Sequence, residues 1–218
     1  TSTATATVNI APVADPAVLG TGAGTVKEDT PAQSTASGTL TITDPDAGEA
    51  AFQPQTNVAG AYGSFTVGTN GAWTYEIDNA NPAVQALKEG ETKTEVFTVK
   101  SVDGTSTTVT IAVVGTNDAP TAKADTAATD EDKPVTFTVL GNDTDPDGDT
   151  LTVTSASVDP AKGTVVVNPD GTLTFTPAAN VNGPVTVTYT VSDGHGGTST
   201  ATALVNIAPV NDAPVAVA

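Results

Sequence analysis

Apolar and polar residues alternate with a period of two along most of the chain. In Ala72-Trp73-Thr74-Tyr75-Glu76-Ile77 the large side chains fall on every second position, and Val185-Thr186-Val187-Thr188-Tyr189-Thr190-Val191 repeats the rule. Successive side chains of a strand point to opposite faces, so this pattern predicts strands buried on one side. It places strands near 36–43, 62–67, 72–77, 93–101 and 106–114, then near 135–140, 150–157, 163–167, 172–176, 184–192 and 199–207. Only Asn81 to Leu87 has helical character, with Pro82 suited to a first helical position. Many short strands separated by turn signals predict an all-β chain built from immunoglobulin-like β-sandwiches.

The pattern repeats at two scales. Residues 1–18 match residues 198–215 at 14 of 18 positions, an offset of 197. A repeat of this length predicts an array, with one unit plus an overlap present here. Within the unit, Gly63 to Ile77 and Gly163 to Pro177 are two alternating strands around a turn, at Asn70-Gly71 and Asp170-Gly171. Such pairs favour hairpin turns because both residues tolerate positive φ. Glu28-Asp29-Thr30-Pro31 recurs as Glu131-Asp132-Lys133-Pro134, Asp44-Pro45-Asp46 as Asp145-Pro146-Asp147, and a late Asp-Gly turn falls at 103–104 and 193–194. Asp15 precedes Glu28, and Asp118 precedes Glu131, by 13 residues. The unit is therefore read as two related domains of roughly 100 residues, each entered through a short acidic linker.

Composition narrows the function. Asp and Glu number 25 against 7 Lys+Arg, all of them Lys, for a formal net charge of −18. That disfavours nucleic acid, which is held by basic patches, and disfavours insertion at anionic membranes. Without Cys there are no disulfides and no thiolate metal site. Thr makes up about a fifth of the residues, in keeping with strands. No apolar run approaches the ~18 residues of a membrane span, and the chain is expected to be a segment of a longer protein.

The stretch NDTDPDGDTL places Asp143, Asp145, Asp147 and Asp149 on alternate positions with no cation among them. Asp143, Asp145 and Asp147 followed by Gly148 have the form of the opening of an EF-hand loop, in which alternate oxygens face Ca²⁺. The twelfth position is Thr154 rather than Glu, so further ligands must come from elsewhere, Glu131 and Asp118 being the candidates. Hard oxygen donors select Ca²⁺ or Mg²⁺, and several clustered carboxylates suit Ca²⁺ better. A solvated acidic turn is the alternative. In the first domain Asp44, Asp46 and Glu49 give a weaker version, with the glycine shifted to Gly48. The glycines of GTGAGT (Gly20, Gly22, Gly24) follow no βα pattern and are read as a flexible linker, and His195 as a turn residue. Tyr62, Phe65, Trp73 and Tyr75 have a spacing that fits a core or an exposed patch equally.

Residues 24–118, with KEDTP, TLTITDPDAGE, GSFTVGTNGAWTYEI and VVGTNDAP, resemble a VCBS repeat. Residues 119–214, with DEDKPVTFTVLGNDTDPDGDTLTV, NPDGTLTFTP and VTYTVSDGHGG, resemble the cadherin-like (tandem-95) repeat. Both families occur in long arrays in bacterial adhesins of the RTX type. The resemblance implies a non-enzymatic, secreted, calcium-stiffened stalk at a bacterial cell surface, acting in adhesion or biofilm formation. Its boundaries would be 1–16 for the last strand and linker of a preceding cadherin-like repeat, 17–118 for the VCBS-like sandwich, and 119–218 for the cadherin-like sandwich and outgoing linker. The cadherin comparison implies a ligand logic: Glu131, Asp145 and Asp147 with linker residues Asn117 and Asp118; Asp15 with Glu28, Asp44 and Asp46; and Asp212 serving a following domain. The implied partners are Ca²⁺ and neighbouring repeats of the same chain. A direct ligand-binding module, homophilic or carbohydrate-specific, is the alternative. Because residues 1–13 duplicate residues 198–210, weak strand exchange between molecules is also expected.

Overall fold

The computed structural model describes residues 3–9, 13–46 and 48–211. The chain forms two compact units, Thr1–Thr116 and Asn117–Ala218.

In the first unit the strands are β1 (Val18–Leu19), β2 (Gly22–Lys27), β3 (Thr35–Thr39), β4 (Ile42–Thr43), β5 (Gln55–Ala59), β6 (Gly63–Val67), β7 (Ala72–Ile77), β8 (Thr92–Lys100) and β9 (Ser106–Val114), with a 3₁₀ turn at Pro31–Gln33 between β2 and β3 and one α-helical turn, α1 (Pro82–Gln85), between β7 and β8. One sheet has the order β2-β9-β8, the other β3-β7-β6-β5, and β1 pairs with β4. The predicted strand at 36–43 breaks at Leu40-Thr41, dividing into β3 and β4. The predicted helix is shorter than its pattern. Asn81 caps it by accepting from Ala83 N, and Pro82 occupies the first turn.

In the second unit β10 (Asp125–Asp130), β11 (Val135–Phe137), β12 (Thr152–Val158), β13 (Gly163–Val167), β14 (Leu173–Pro177), β15 (Gly183–Ser192) and β16 (Thr198–Ala208) form sheets β10-β16-β15-β12 and β11-β14-β13. Both units are sandwiches of antiparallel hairpins, each with one parallel pair, β2 with β9 and β10 with β16.

The glycine-rich stretch is not a flexible linker. Gly22 and Gly24 lie in β2, and added Cβ atoms there would stand 3.0 Å from Trp73 Nε1 and 3.0 Å from Trp73 Cη2. The indole ring covers the strand, so no side chain fits beneath it. The aromatics are core rather than surface: Phe65 and Tyr75 are fully buried and Trp73 is 3% exposed. Phe65 stacks on Phe97 with ring centroids 4.7 Å apart. The second core gathers Val139, Leu173, Phe175, Val187, Tyr189, Val191 and Val205.

One strand changes sheet between the units. In the second, β12 pairs with β15 from Thr152↔Ser192 to Val158↔Val187. In the first, the equivalent chain makes a single bridge, Phe52↔Ser101, then crosses to pair β5 with β6. Pro54 stands at the crossing and has no N–H to continue the ladder. Side chains serve the abandoned partner strand: Gln53 Nε2 donates to Ser101 O at 2.9 Å and Gln55 Nε2 to Thr98 O at 3.0 Å.

Candidate metal centres

In the first unit Asp44, Asp46 and Glu49 each offer a carboxylate oxygen, all within 4.8 Å of one another. The loop is shaped by its own acids: Asp46 N donates to Asp44 Oδ1 at 2.8 Å. The incoming segment is tied to it, because Asp15 N donates to Asp46 Oδ2 at 2.7 Å. Two residues on, Ala17 N donates to Asp103 Oδ2 at 2.8 Å. Hydrogen bonds from the Ser101 hydroxyl, Ala17 N and Thr105 hold the Asp103 carboxyl well below the usual range. Asp44 Oδ2 is buried with no hydrogen-bond partner.

The second unit builds the same arrangement from Asp145, Asp147 and Asp149, again with one oxygen each within 4.8 Å. Asp118 N donates to Asp147 Oδ2 at 2.9 Å, as Asp15 N does to Asp46. Asp149 N donates to Asp145 Oδ1 at 3.2 Å, and Gly148 takes φ +69°, a conformation glycine adopts without strain. Asp193 is buried and accepts from Asn117 Nδ2 at 2.9 Å, His195 N at 2.7 Å and Gly197 N at 3.0 Å. Burial acts to raise its pKa, but these donors outweigh it and the net shift is downward. His195 lies in the Asp193–Gly197 turn, as expected, with its Nε2 3.8 Å from Asp149 Oδ2. Asp145 Oδ2 and Asp143 Oδ2 are buried without partners.

Three sequence groupings are revised. Asp143 stands apart from the 145–147–149 set: its Oδ1 accepts from Lys123 N at 2.7 Å. Glu131 does not join Asp145 and Asp147, and Glu28 does not join Asp15, Asp44 and Asp46. β10 and β2 intervene, six residues each, roughly 20 Å of extended chain, and carry each glutamate to the far end of its unit. There each glutamate holds the outgoing segment. Glu28, fully buried, accepts from Thr116 N at 3.2 Å and Gln85 Nε2 at 3.1 Å. Glu131, 5% exposed, accepts from Val210 N and from Asn182 Nδ2. Asp212 lies outside the described residues.

Two further carboxylates, each holding an incoming segment by a hydrogen bond, are not singled out by the sequence. Asp103 and Asp193 were visible only as recurring Asp-Gly turns, a signal that turn chemistry alone explains.

The donor set is all oxygen, with orphaned carboxylate oxygens beside convergent acids. That suits a hard divalent cation and fits calcium. Among the described residues no helix is long and apolar enough to cross a membrane.

Residues 14–115 match a bacterial cadherin-like domain and residues 116–208 a cadherin-like domain. No curated protein sequence matches the chain. Among solved structures, three domains (EC22–24) of mouse cadherin-23 share 19% identity over 89% of this chain and 65% of theirs, with a TM-score of 0.53. Protocadherin gamma C5 EC1–3 shares 16% identity over 85% and 65%, TM-score 0.52. Protocadherin gamma B7 extracellular cadherin domains 1–4 share 16% over 88% and 50%, TM-score 0.51. The chain thus spans between half and two thirds of these relatives, and the likeness is one of fold. It carries two cadherin-like domains in tandem, an adhesion-related extracellular module of a kind that is typically non-enzymatic.

Proposed function

We propose that this tandem of cadherin-like domains is a calcium-stiffened extender segment of a repetitive bacterial surface adhesin. The VCBS and RTX-adhesin resemblances supply the finer part of that reading. The supporting observation is the cradle built twice: three carboxylates within 4.8 Å, an orphaned oxygen on Asp44 or Asp145, and a backbone N–H of the incoming segment on Asp46 or Asp147. Asp44, Asp46 and Glu49 would hold one ion, and Asp145, Asp147 and Asp149 the other. Asp15 and Asp118 would fasten the incoming segments to these loops, and Asn117 would fasten its segment to the Asp193 turn. Glu28, Glu131 and Asp212 are proposed to serve the outgoing ones, and Asp143 to flank the second cradle. Calcium supplies the positive charge that lets these acids converge. The chain's own contribution is to orient them and to couple the leading segment to the loop.

In this reading the protein is secreted, sits at the bacterial surface and spaces distal adhesive domains in adhesion or biofilm formation. Its partners are Ca²⁺ and neighbouring repeats. Weak homotypic strand exchange belongs to the same proposal: residues 3–9 are exposed and outside any strand, yet copy most of the sequence of β16. Deleting residues 1–13 should abolish any dimer seen by light scattering.

The test is a thermal melt with chelator, with millimolar Mg²⁺ and with millimolar Ca²⁺. Binding restricted to the folded state raises Tm by mass action. A rise with Ca²⁺ that Mg²⁺ does not reproduce supports the proposal, and an unchanged Tm refutes it.

A further inference from the structure

The sequence holds two Asn-Gly pairs, Asn70-Gly71 and Asn182-Gly183. In such a pair the following backbone nitrogen reaches the side-chain amide with least hindrance, because glycine has no Cβ. The fold holds the two pairs differently. Asn70 and Gly71 form a hairpin turn in which Asn70 Oδ1 accepts from Ala72 N at 3.1 Å and Gly71 N donates to Gly68 O at 3.0 Å. A Cβ on Gly71 would stand 2.5 Å from Leu40 O and 2.8 Å from Phe52 Cε2, so this turn is wedged in place. Asn182, by contrast, is exposed. Gly183 opens β15, and its pairing with Ile207 is the end pair of the ladder, where strands open first. A Cβ on Gly183 would meet nothing within 4 Å.

Asn182 also supports a carboxylate that matters to the chain beyond it. Its Nδ2 donates to Glu131 Oε2 at 3.3 Å, and Glu131 Oε1 accepts from Val210 N, in the outgoing segment. Glu131 is 5% exposed, so water replaces a lost donor poorly there. In the first unit the matching carboxylate, Glu28, takes its amide donor from Gln85, at 3.1 Å. Gln85 is followed by Ala86 and would have to close a larger ring, which is far slower. The sister unit thus carries the durable form of the same support.

We infer that Asn182 is a self-modification site through which the second unit releases its outgoing segment with age. Gly183 N gives up its proton to base and attacks Asn182 Cγ. The bond from Cγ to the side-chain nitrogen breaks, and ammonia leaves with a proton from water, giving a succinimide. Water then opens the ring at either carbonyl to aspartate or isoaspartate, with nothing oxidised or reduced. Either product sets an anion where Glu131 had a donor, and the two repel. Isoaspartate also adds a methylene to the main chain at the start of β15. Glu131 is displaced and Val210 N loses its acceptor. Neither the acidic cradles nor calcium takes part.

The test is to age the whole chain in mildly alkaline buffer containing chelator. Peptide mapping follows the amide-to-acid mass gain at both pairs, in buffer and in urea. In buffer Asn182 should convert at least about ten times faster than Asn70, and in urea, where the fold no longer separates them, the rates should converge. Amide exchange at Val210 should rise roughly tenfold in the converted chain and, without ageing, in Asn182→Asp. Asn182→Gln keeps a donor and closes its ring slowly, so Val210 should stay protected as it ages. Equal rates at the two pairs in buffer, or a faster Asn70, would overturn the inference. So would conversion at Asn182 that leaves Val210 exchange unchanged. Both readings come from the unaltered chain, so neither depends on a variant folding.

Discussion

Single residues decide how closely the sheets of the first unit approach. Trp73 is sandwiched by backbone, and a Cβ at Gly38 would lie 2.7 Å from its Cζ2. Gly38→Ala should therefore destabilise the first unit by about 1–3 kcal/mol, the usual cost of overpacking, read as a lower denaturant midpoint. Alternation placed Trp73 inward, but nothing in the sequence said that Gly22, Gly24 and Gly38 make room for it. A glycine that makes room and one that flexes are identical until the partner is known. Ionisation is legible in the same partial way. Burial works to raise the Asp193 pKa, but donors on Asn117, His195 and Gly197 lower it overall. A carboxyl lowered in the folded state stabilises above its unfolded value near ~4 and loses that contribution as pH falls below it. In chelator, Tm should drop as pH falls from about 4 toward 2, and Asp193→Asn should start lower and drop less. Asp125 has the opposite sign. Burial pushes it up, with nearby Asp143 adding to that, so its contribution is full at low pH and lost as pH rises through the folded value. Asp125→Asn should accordingly raise Tm at pH 7 more than at pH 3.

At the scale of elements, period-two patterning located the long central strands, because one of their faces is buried. It missed β2, β5 and β10, which are Gly-, Ala-, Asn- or Thr-rich and lie at sheet edges, where side-chain burial marks them least. Two of those strands, β2 and β10, decide where the acidic residues fall. By running the length of a unit, β2 and β10 carry Glu28 and Glu131 away from the aspartates that the loop motif and the cadherin resemblance had grouped with them. The sheet switch of β5 has its own consequence. Where it leaves β8, Glu95 is 8% exposed and accepts from Ala61 N, Tyr62 N and the Tyr75 hydroxyl, the last at 2.6 Å. Burial, with Glu95 adding to it, pushes the Tyr75 phenol far up, so it stays a donor. This latch pins the β5–β6 turn across the seam between the sheets. Alternation assigns Glu95 an inward position but cannot announce its three donors. Glu95→Ala strands them and should cost about 2–4 kcal/mol, with faster amide exchange at Ala61 and Tyr62. Tyr75→Phe, which removes one donor and leaves the carboxylate two, should cost about 1 kcal/mol.

For the whole molecule, the net charge of −18 poses the question of what lets acids gather at all. The acidic loops were legible from alternate Asp residues without cations; the backbone ties from Asp15 and Asp118 were not, because they depend on where the incoming chain lies. General repulsion and a specific site predict different responses to salt. At 0.1 M ionic strength the Debye length is about 10 Å, so charges 4.8 Å apart within a cradle are barely screened, while distant charges are. Sodium chloride should thus raise Tm modestly through the global charge and leave the cradles strained. Millimolar Ca²⁺ should act on top of that, with little further dependence on sodium chloride. Asp145→Asn separates the two. Without divalent ions it removes one of three crowded charges, worth about 1 kcal/mol of repulsion even in bulk water, and should leave Tm equal or higher. With Ca²⁺ it removes a ligand, and the unaltered chain should become the more stable. A reversal of order between chelator and Ca²⁺ is what a cation cradle requires. A variant that is less stable in both conditions would mean Asp145 serves the loop's own hydrogen bonds, chiefly the one from Asp149 N, and not an ion.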